Sequence, residues 1–92
     1  MPVLSDAEIA EAVRQLPGWE QRGNSIAKEF AFDDFMGSVG FVNRVAEPAE
    51  AMNHHPDLAI SWNRVTVSLS THSEGGVTDN DLRLAAQVDR LA

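Results

Sequence analysis

Three histidines carry the chemical potential of this chain. His54 and His55 stand side by side in Glu50-Ala51-Met52-Asn53-His54-His55-Pro56, and His72 follows farther on. Imidazole gives or takes a proton near neutral pH, so three of them on rigid elements would suit general acid–base chemistry. Pro56 confines the residue before it to extended backbone, which puts the pair on a corner where a helical pattern gives way to a strand. Glu50 lies four residues before His54, one helical turn back on the same face, where its carboxylate could orient or charge that ring. A lone histidine is usually structural or merely exposed; three at these gaps read as catalysis or binding. The same donors could hold zinc, although their gaps match no familiar zinc spacing.

The elements that must position these residues follow from periodicity and end signals. Ser5 and Glu8 form a capping box, followed by Ile9, Ala12, Val13 and Leu16 at helical spacing, with Pro17-Gly18 as the stop. Trp19–Arg22 and Ile26–Phe32 read as two strands around a Gly23-Asn24 turn. Asp33 or Asp34 caps a long helix reaching Met52. It carries two apolar rows, Phe35, Val39, Val42, Ala46, Ala49 and Phe41, Val45, Pro48, Met52. Two rows suggest two packing surfaces, the sheet and a second subunit. Pro48 removes a backbone donor inside this helix, which predicts a kink or an early end there.

After Pro56 comes a hairpin. Leu58, Ile60 and Trp62 alternate with polar or small residues, Asn63 turns the chain, and Val65, Val67, Leu69 and Thr71 alternate with Arg64, Thr66, Ser68, Ser70 and His72. This puts His72 on the hydroxyl-bearing face at the end of the fourth strand. Thr78-Asp79-Asn80-Asp81 opens a last helix with Leu82, Ala85, Ala86, Val88 and Leu91 as its apolar positions. The expected fold is α+β: a four-stranded antiparallel sheet with three helices packed on one face, in the order α-β-β-α-β-β-α. In a tight hairpin the start of one strand lies beside the end of its neighbour. His72 therefore comes within reach of the double histidine, and the expected cluster is Glu50, His54, His55 and His72. Asp81 reads as a helix cap, stabilising near a helix N-terminus. Trp62 reads as a packing or hairpin residue, and Trp19 as core or pocket wall.

Composition narrows the partners. A chain of 92 residues makes one domain, residues 1–92, small enough that assembly would help to stabilise it. The net charge of −7, with seven scattered Lys and Arg, argues against a nucleic-acid partner. There is no cysteine for a disulfide or a thiolate metal site. No apolar run approaches the ~20 residues of a membrane span, and no basic-then-apolar leader is seen. The expectation is a soluble, cytoplasmic protein with neither a nucleic-acid nor a membrane partner.

The spacing Glu50-x3-His54-His55-Pro56-x5-Trp62-x9-His72-x8-Asp81 resembles that of the pterin-4a-carbinolamine (4a-hydroxytetrahydrobiopterin) dehydratases. The likeness extends through Leu69-Ser70-Thr71-His72, the Gly76 loop, Trp19 after its Leu-Pro-Gly lead-in, and the Phe30–Phe35 stretch, so it covers nearly the whole chain. The resemblance implies a lyase that removes water from a 4a-hydroxytetrahydropterin left by aromatic amino acid hydroxylases, in tetrahydrobiopterin recycling. The product is a quinonoid dihydropterin, and neither metal nor cofactor is needed. It implies that His54, His55 and His72 are catalytic. It also implies that His54-His55-Pro56 and Thr71-His72-Ser73-Glu74 contact the pterin, with Glu50, Trp19 and Asp81 in support. His54 and His72 are expected to be the acid–base pair, with His55 binding and orienting. The resemblance further implies homodimers joined edge to edge through the sheet, or homotetramers that bring long helices together. Two alternatives stand beside it: a non-enzymatic dimerisation or assembly module of the same fold, and an enzyme acting on another pterin. Two departures are visible, Pro48 in a helix usually uninterrupted, and Asn53 where animal members carry an acid.

Overall fold

The sheet is built on the strand with the strictest alternation. In the computed structural model, which describes residues 2–92, β4 (Arg64–Leu69) turns Val65, Val67 and Leu69 inward and leaves Thr66 and Ser68 on the opposite face. It lies between β2 (Ser25–Ala31) and β3 (Asp57–Ser61), and β1 (Glu20–Arg22) completes an antiparallel sheet ordered β1-β2-β4-β3. The register pairs Ala27 with Ser68 and Ser68 with Asp57, so these three share one row on the outer face. The β1–β2 turn has Gly23 at φ 58, as its Gly-Asn sequence predicts.

The helices cover the inner face. α1 (Asp6–Arg14) starts at the expected capping box: the Glu8 amide donates to Ser5 Oγ at 3.1 Å and the Ser5 amide to Glu8 Oε1 at 2.8 Å. It ends at Arg14, before the Pro17-Gly18 stop, and Leu16 packs against the core from outside the helix. α2 (Phe35–Met52) is capped by Asp34, whose carboxylate accepts from the Gly37 amide at 2.7 Å. It runs unbroken past Pro48, so no early end occurs there. Its fully buried residues include Phe41 and Val45; Phe41 packs its ring against Phe30 and Phe32 at centroid separations of 4.8 and 4.9 Å. Of the other predicted row, Phe35 and Ala46 are exposed and Val39 and Val42 half-buried. α3 (Asp79–Leu91) adds Leu84, Ala85 and Val88 to the core. The observed order and class are those expected from the sequence. No helix among the described residues is long and apolar enough to cross a membrane.

The β3–β4 turn lies where it is expected, and the end of β4 does not. The β3–β4 hairpin turns at Trp62-Asn63, where Trp62 takes φ 50 and remains exposed. β4 stops at Leu69, so His72 does not end a strand. It lies in a turn closed by the Thr71–Gly76 bridge, in which the Thr71 amide donates to the Gly76 carbonyl at 2.8 Å.

Candidate active site

The end of α2 sets His54. Asn53 adopts left-handed backbone, φ 50 and ψ 43. Its amide donates to the Glu50 carbonyl at 3.1 Å, and the His54 amide to the Ala49 carbonyl at 3.0 Å. This pair of bonds is the Schellman arrangement, and asparagine is among the few side chains that tolerate the left-handed cap. The residue noted as a missing acid is thus the hinge that turns the chain out of the helix. His54, His55 and half-buried Pro56 then lead into β3.

The His54 ring meets the start of α3. Its Nε2 lies 2.5 Å from Asp81 Oδ1; the His54 side chain is 10% exposed and that of Asp81 is fully buried. Asp81 Oδ2 accepts from Thr71 Oγ1 and from the Thr78 amide, each at 2.9 Å. The amide bond closes the first turn of α3, so the cap read from sequence is present. A carboxylate has no proton to give here, which makes Nε2 of His54 the donor and leaves Nδ1 as its free nitrogen. Asp81 therefore joins three segments: the α2–β3 corner, the turn after β4, and the α3 N-terminus.

The other two histidines use different carboxylates. His55 Nε2 is 2.6 Å from Glu50 Oε1, both side chains being mostly exposed. Glu50 serves His55, and not His54 as helical spacing suggested. The left-handed residue at 53 ends the helix before His54 can occupy the i+4 position above Glu50. His72 Nε2 stands 3.9 Å from Asp57 Oδ2, beyond hydrogen-bond range. The expected cluster of Glu50 with three histidines is thus resolved into three histidine–carboxylate pairs at one end of the sheet. Asp57 and the hydroxyls around it had no signal in the sequence beyond the outward phase of their strands.

His72 and Asp57 line a cavity of about 270 Å³ with Asn24, Ser25, Ser68 and Ser70. Ser68, Asp57 and Ser70 lie on the outer face, so the hydroxyl-bearing side assigned to His72 is the side on which it is found. Ser73 and Glu74 are exposed in the turn beyond His72. Trp19 lies elsewhere: it is buried, packs edge-on against Phe30, and donates through Nε1 to Asp89 at 3.0 and 3.1 Å. Asp89 also pairs with Lys28 at 2.9 Å. Asp89 lies two turns beyond Asp81 on α3, ~12 Å along the axis at 1.5 Å per residue. Trp19 is therefore a core residue fastened to the opposite end of that helix. No group of three or more potential metal ligands occurs among the described residues.

The family model described as pterin 4 alpha carbinolamine dehydratase matches residues 2–91. A relative from Thermosynechococcus vestitus, provisionally named a pterin-4-alpha-carbinolamine dehydratase, is 53% identical over 97% of this chain and 94% of its own length. One from Thermomicrobium roseum, with the same provisional name, is 45% identical over 100% and 99%. Among solved structures, a transcriptional coactivator/pterin dehydratase from Brucella melitensis superposes with TM-score 0.93 at 39% identity, covering 98% of both chains. A pterin dehydratase-like RuBisCO assembly factor of the alpha-carboxysome shares the fold, with TM-score 0.66 at 23% identity over 80% of this chain and 86% of its own. The chain belongs to the pterin 4 alpha carbinolamine dehydratase family.

Proposed function

We propose that this member of the family dehydrates a 4a-hydroxytetrahydropterin to the quinonoid dihydropterin, with 4a-hydroxytetrahydrobiopterin as the reference substrate, using its histidines as general acid and base. In this reaction the N5 lone pair closes an N5=C4a double bond as the C4a–O bond breaks. The departing hydroxyl takes up one proton and leaves as water, and N5 gives up its own proton. One group must give a proton and another must take one, which suits imidazole at neutral pH. The observation that carries the reading is the contrast between two rings at one sheet end. His54 is held through Nε2 by a buried carboxylate, leaving Nδ1 to work. His72 is exposed at the mouth of a polar cavity. His55, restricted by Pro56 and paired with Glu50, is assigned to binding and orientation, with His54-His55-Pro56 and Thr71–Glu74 as the pterin-contacting segments.

Each histidine changed separately to alanine tests these roles. His54→Ala and His72→Ala should lower kcat, and His55→Ala should mainly raise KM. A His55→Ala enzyme with lost turnover and unchanged substrate affinity would contradict the assignment. All three histidines of the motif are present, which favours an enzyme over an assembly module, since a relative recruited only for binding has no need to retain them. The chain is also proposed to self-associate as a dimer or tetramer. β3 is an edge strand, and Ile60, Trp62, Phe35 and Met36 are exposed apolar residues. The acidic balance, a net charge of −7, supports a small-molecule partner over a nucleic acid.

A further inference from the structure

The carboxylate behind His54 stands at the end of a short chain of hydroxyls that the proton transfers do not use. Thr71 Oγ1 lies 2.9 Å from Asp81 Oδ2 and 2.8 Å from Thr78 Oγ1. Thr78 is fully buried and Thr71 half-buried. A hydroxyl has one proton, and an ionised carboxylate only accepts. Thr71 therefore gives its proton to Asp81, and only Thr78 can supply the proton between the two hydroxyls. The order runs from Thr78 to Thr71 to Asp81, with Nε2 of His54 donating to the other carboxylate oxygen. The Thr78 amide also donates to Oδ2, so donors from three segments fix the plane of the carboxylate. Thr71 builds the turn of His72 as well. Its amide donates to the Gly76 carbonyl at 2.8 Å, and its carbonyl accepts from the Glu74 and Gly75 amides at 3.0 and 2.9 Å. One residue thus holds the carboxylate of His54 through its hydroxyl and the turn that carries His72 through its backbone.

From this placement we infer that Thr71, supported by Thr78, is a positioning residue whose hydroxyl fixes the tautomer and orientation of His54 and ties the place of His54 to that of His72. The effect on rate rests on the dehydratase reading; the effect on the tautomer does not. The Thr71 hydroxyl has no proton left for a substrate, so it acts through His54 and not on the pterin. Without that hydroxyl, Oδ2 keeps the Thr78 amide as its one donor, and the buried Thr78 hydroxyl loses its acceptor. The carboxylate is then free to turn about its Cβ–Cγ bond. Which imidazole nitrogen carries the proton is set by the partner of the other one. A ring held by a turning carboxylate samples both tautomers and more than one angle, and the nitrogen that must work is no longer kept in one place.

Thr71→Val keeps the branched shape and removes the hydroxyl, and Thr71→Ser keeps the hydroxyl and removes the methyl. Long-range proton–nitrogen correlation spectra of the free, histidine-labelled protein in mildly alkaline buffer read the tautomer, with the His54 signals assigned by their loss in His54→Gln. Wild type and Thr71→Ser should show one tautomer, protonated at Nε2, and Thr71→Val a mixture of the two. Dehydration by the same preparations should show kcat lowered about tenfold or more in Thr71→Val with KM little changed, and most of the rate restored in Thr71→Ser. Thr78→Val leaves the Thr71 proton in place and should move both readouts the same way and less far; should Thr71→Val not fold, an unchanged tautomer in Thr78→Val overturns the inference. A folded Thr71→Val protein that keeps the wild-type tautomer would overturn it whatever its rate, as would a Thr71→Ser protein that behaves like Thr71→Val. A raised KM with unchanged kcat would put the Thr71 hydroxyl on the pterin and overturn it too. A tautomer that shifts as expected, in a protein whose wild type gives no rate above background, would keep the positioning of His54 and refute the dehydratase reading.

Discussion

Two histidine–carboxylate pairs of nearly equal length should differ several-fold in what they contribute to stability. His54–Asp81 measures 2.5 Å and His55–Glu50 2.6 Å, but side-chain exposures are 10% and 0% in the first and 57% and 76% in the second. Asp81→Ala removes the acceptor from a covered imidazole, from the Thr71 hydroxyl and from the Thr78 amide. Breaking a buried pair from one side costs about 3–5 kcal/mol, because the remaining groups keep their desolvation penalty. Glu50→Ala breaks a solvated pair worth roughly 0.2–1 kcal/mol. A chain of this size has about 5–14 kcal/mol in all, so the first change removes about a fifth of it or more and the second a several-fold smaller share. Urea unfolding at one fixed protein concentration reads both. With a common slope of ~1–3 kcal/mol/M, the midpoint of Asp81→Ala should fall by at least ~1 M and by about three times the Glu50→Ala shift or more. Equal shifts would refute the argument that burial, and not distance, decides what these pairs contribute.

Other outcomes follow from the same geometry. Phe41→Ala empties a fully buried site between two aromatic rings and should cost about 3–5 kcal/mol by the same urea assay. The Glu8 carboxyl is held below its ordinary 4.5 by the Ser5 amide first and the Ser5 hydroxyl second. A carboxyl lowered on folding contributes stability that is present above its unfolded pKa and lost as pH falls through the folded one. The midpoint difference between wild type and Glu8→Gln should therefore be present at neutral pH and shrink as pH falls below 4.5. Light scattering at micromolar concentration should give a dimer or tetramer; a monomer would contradict the role given to β3 and the exposed apolar residues.

Much of this was legible in the residues because each signal was local. The alternation of Val65, Val67 and Leu69, the Ser5–Glu8 box and Pro56 after the double histidine fix element type and the corner without help from the rest of the chain. The pairing of side chains was not local. Spacing put Glu50 under His54, but one left-handed residue, Asn53, turns His54 toward Asp81 and leaves Glu50 to His55. Asp81 could be read as a cap, while its second role depends on three segments meeting in the folded chain. Alternation continues through Ser70 to His72 and so overstated β4; the Thr71–Gly76 bridge bends the backbone there. Trp62 at φ 50 was hidden because a bulky side chain carries no turn signal. Pro48 predicted a kink or an early end; the early end does not occur, and Val45, Ala49 and Met52 pack into or against the core on either side of it and carry the helix through.

The most direct test of the central claim is the dehydration rate of freshly generated 4a-hydroxytetrahydropterin, wild type beside the His54→Ala/His72→Ala variant, each corrected for the uncatalysed reaction. A large excess over background with wild type, abolished in a double variant that remains folded, is the predicted result. A folded wild type that leaves the background rate unchanged, or a double variant that retains the full excess, would contradict the account.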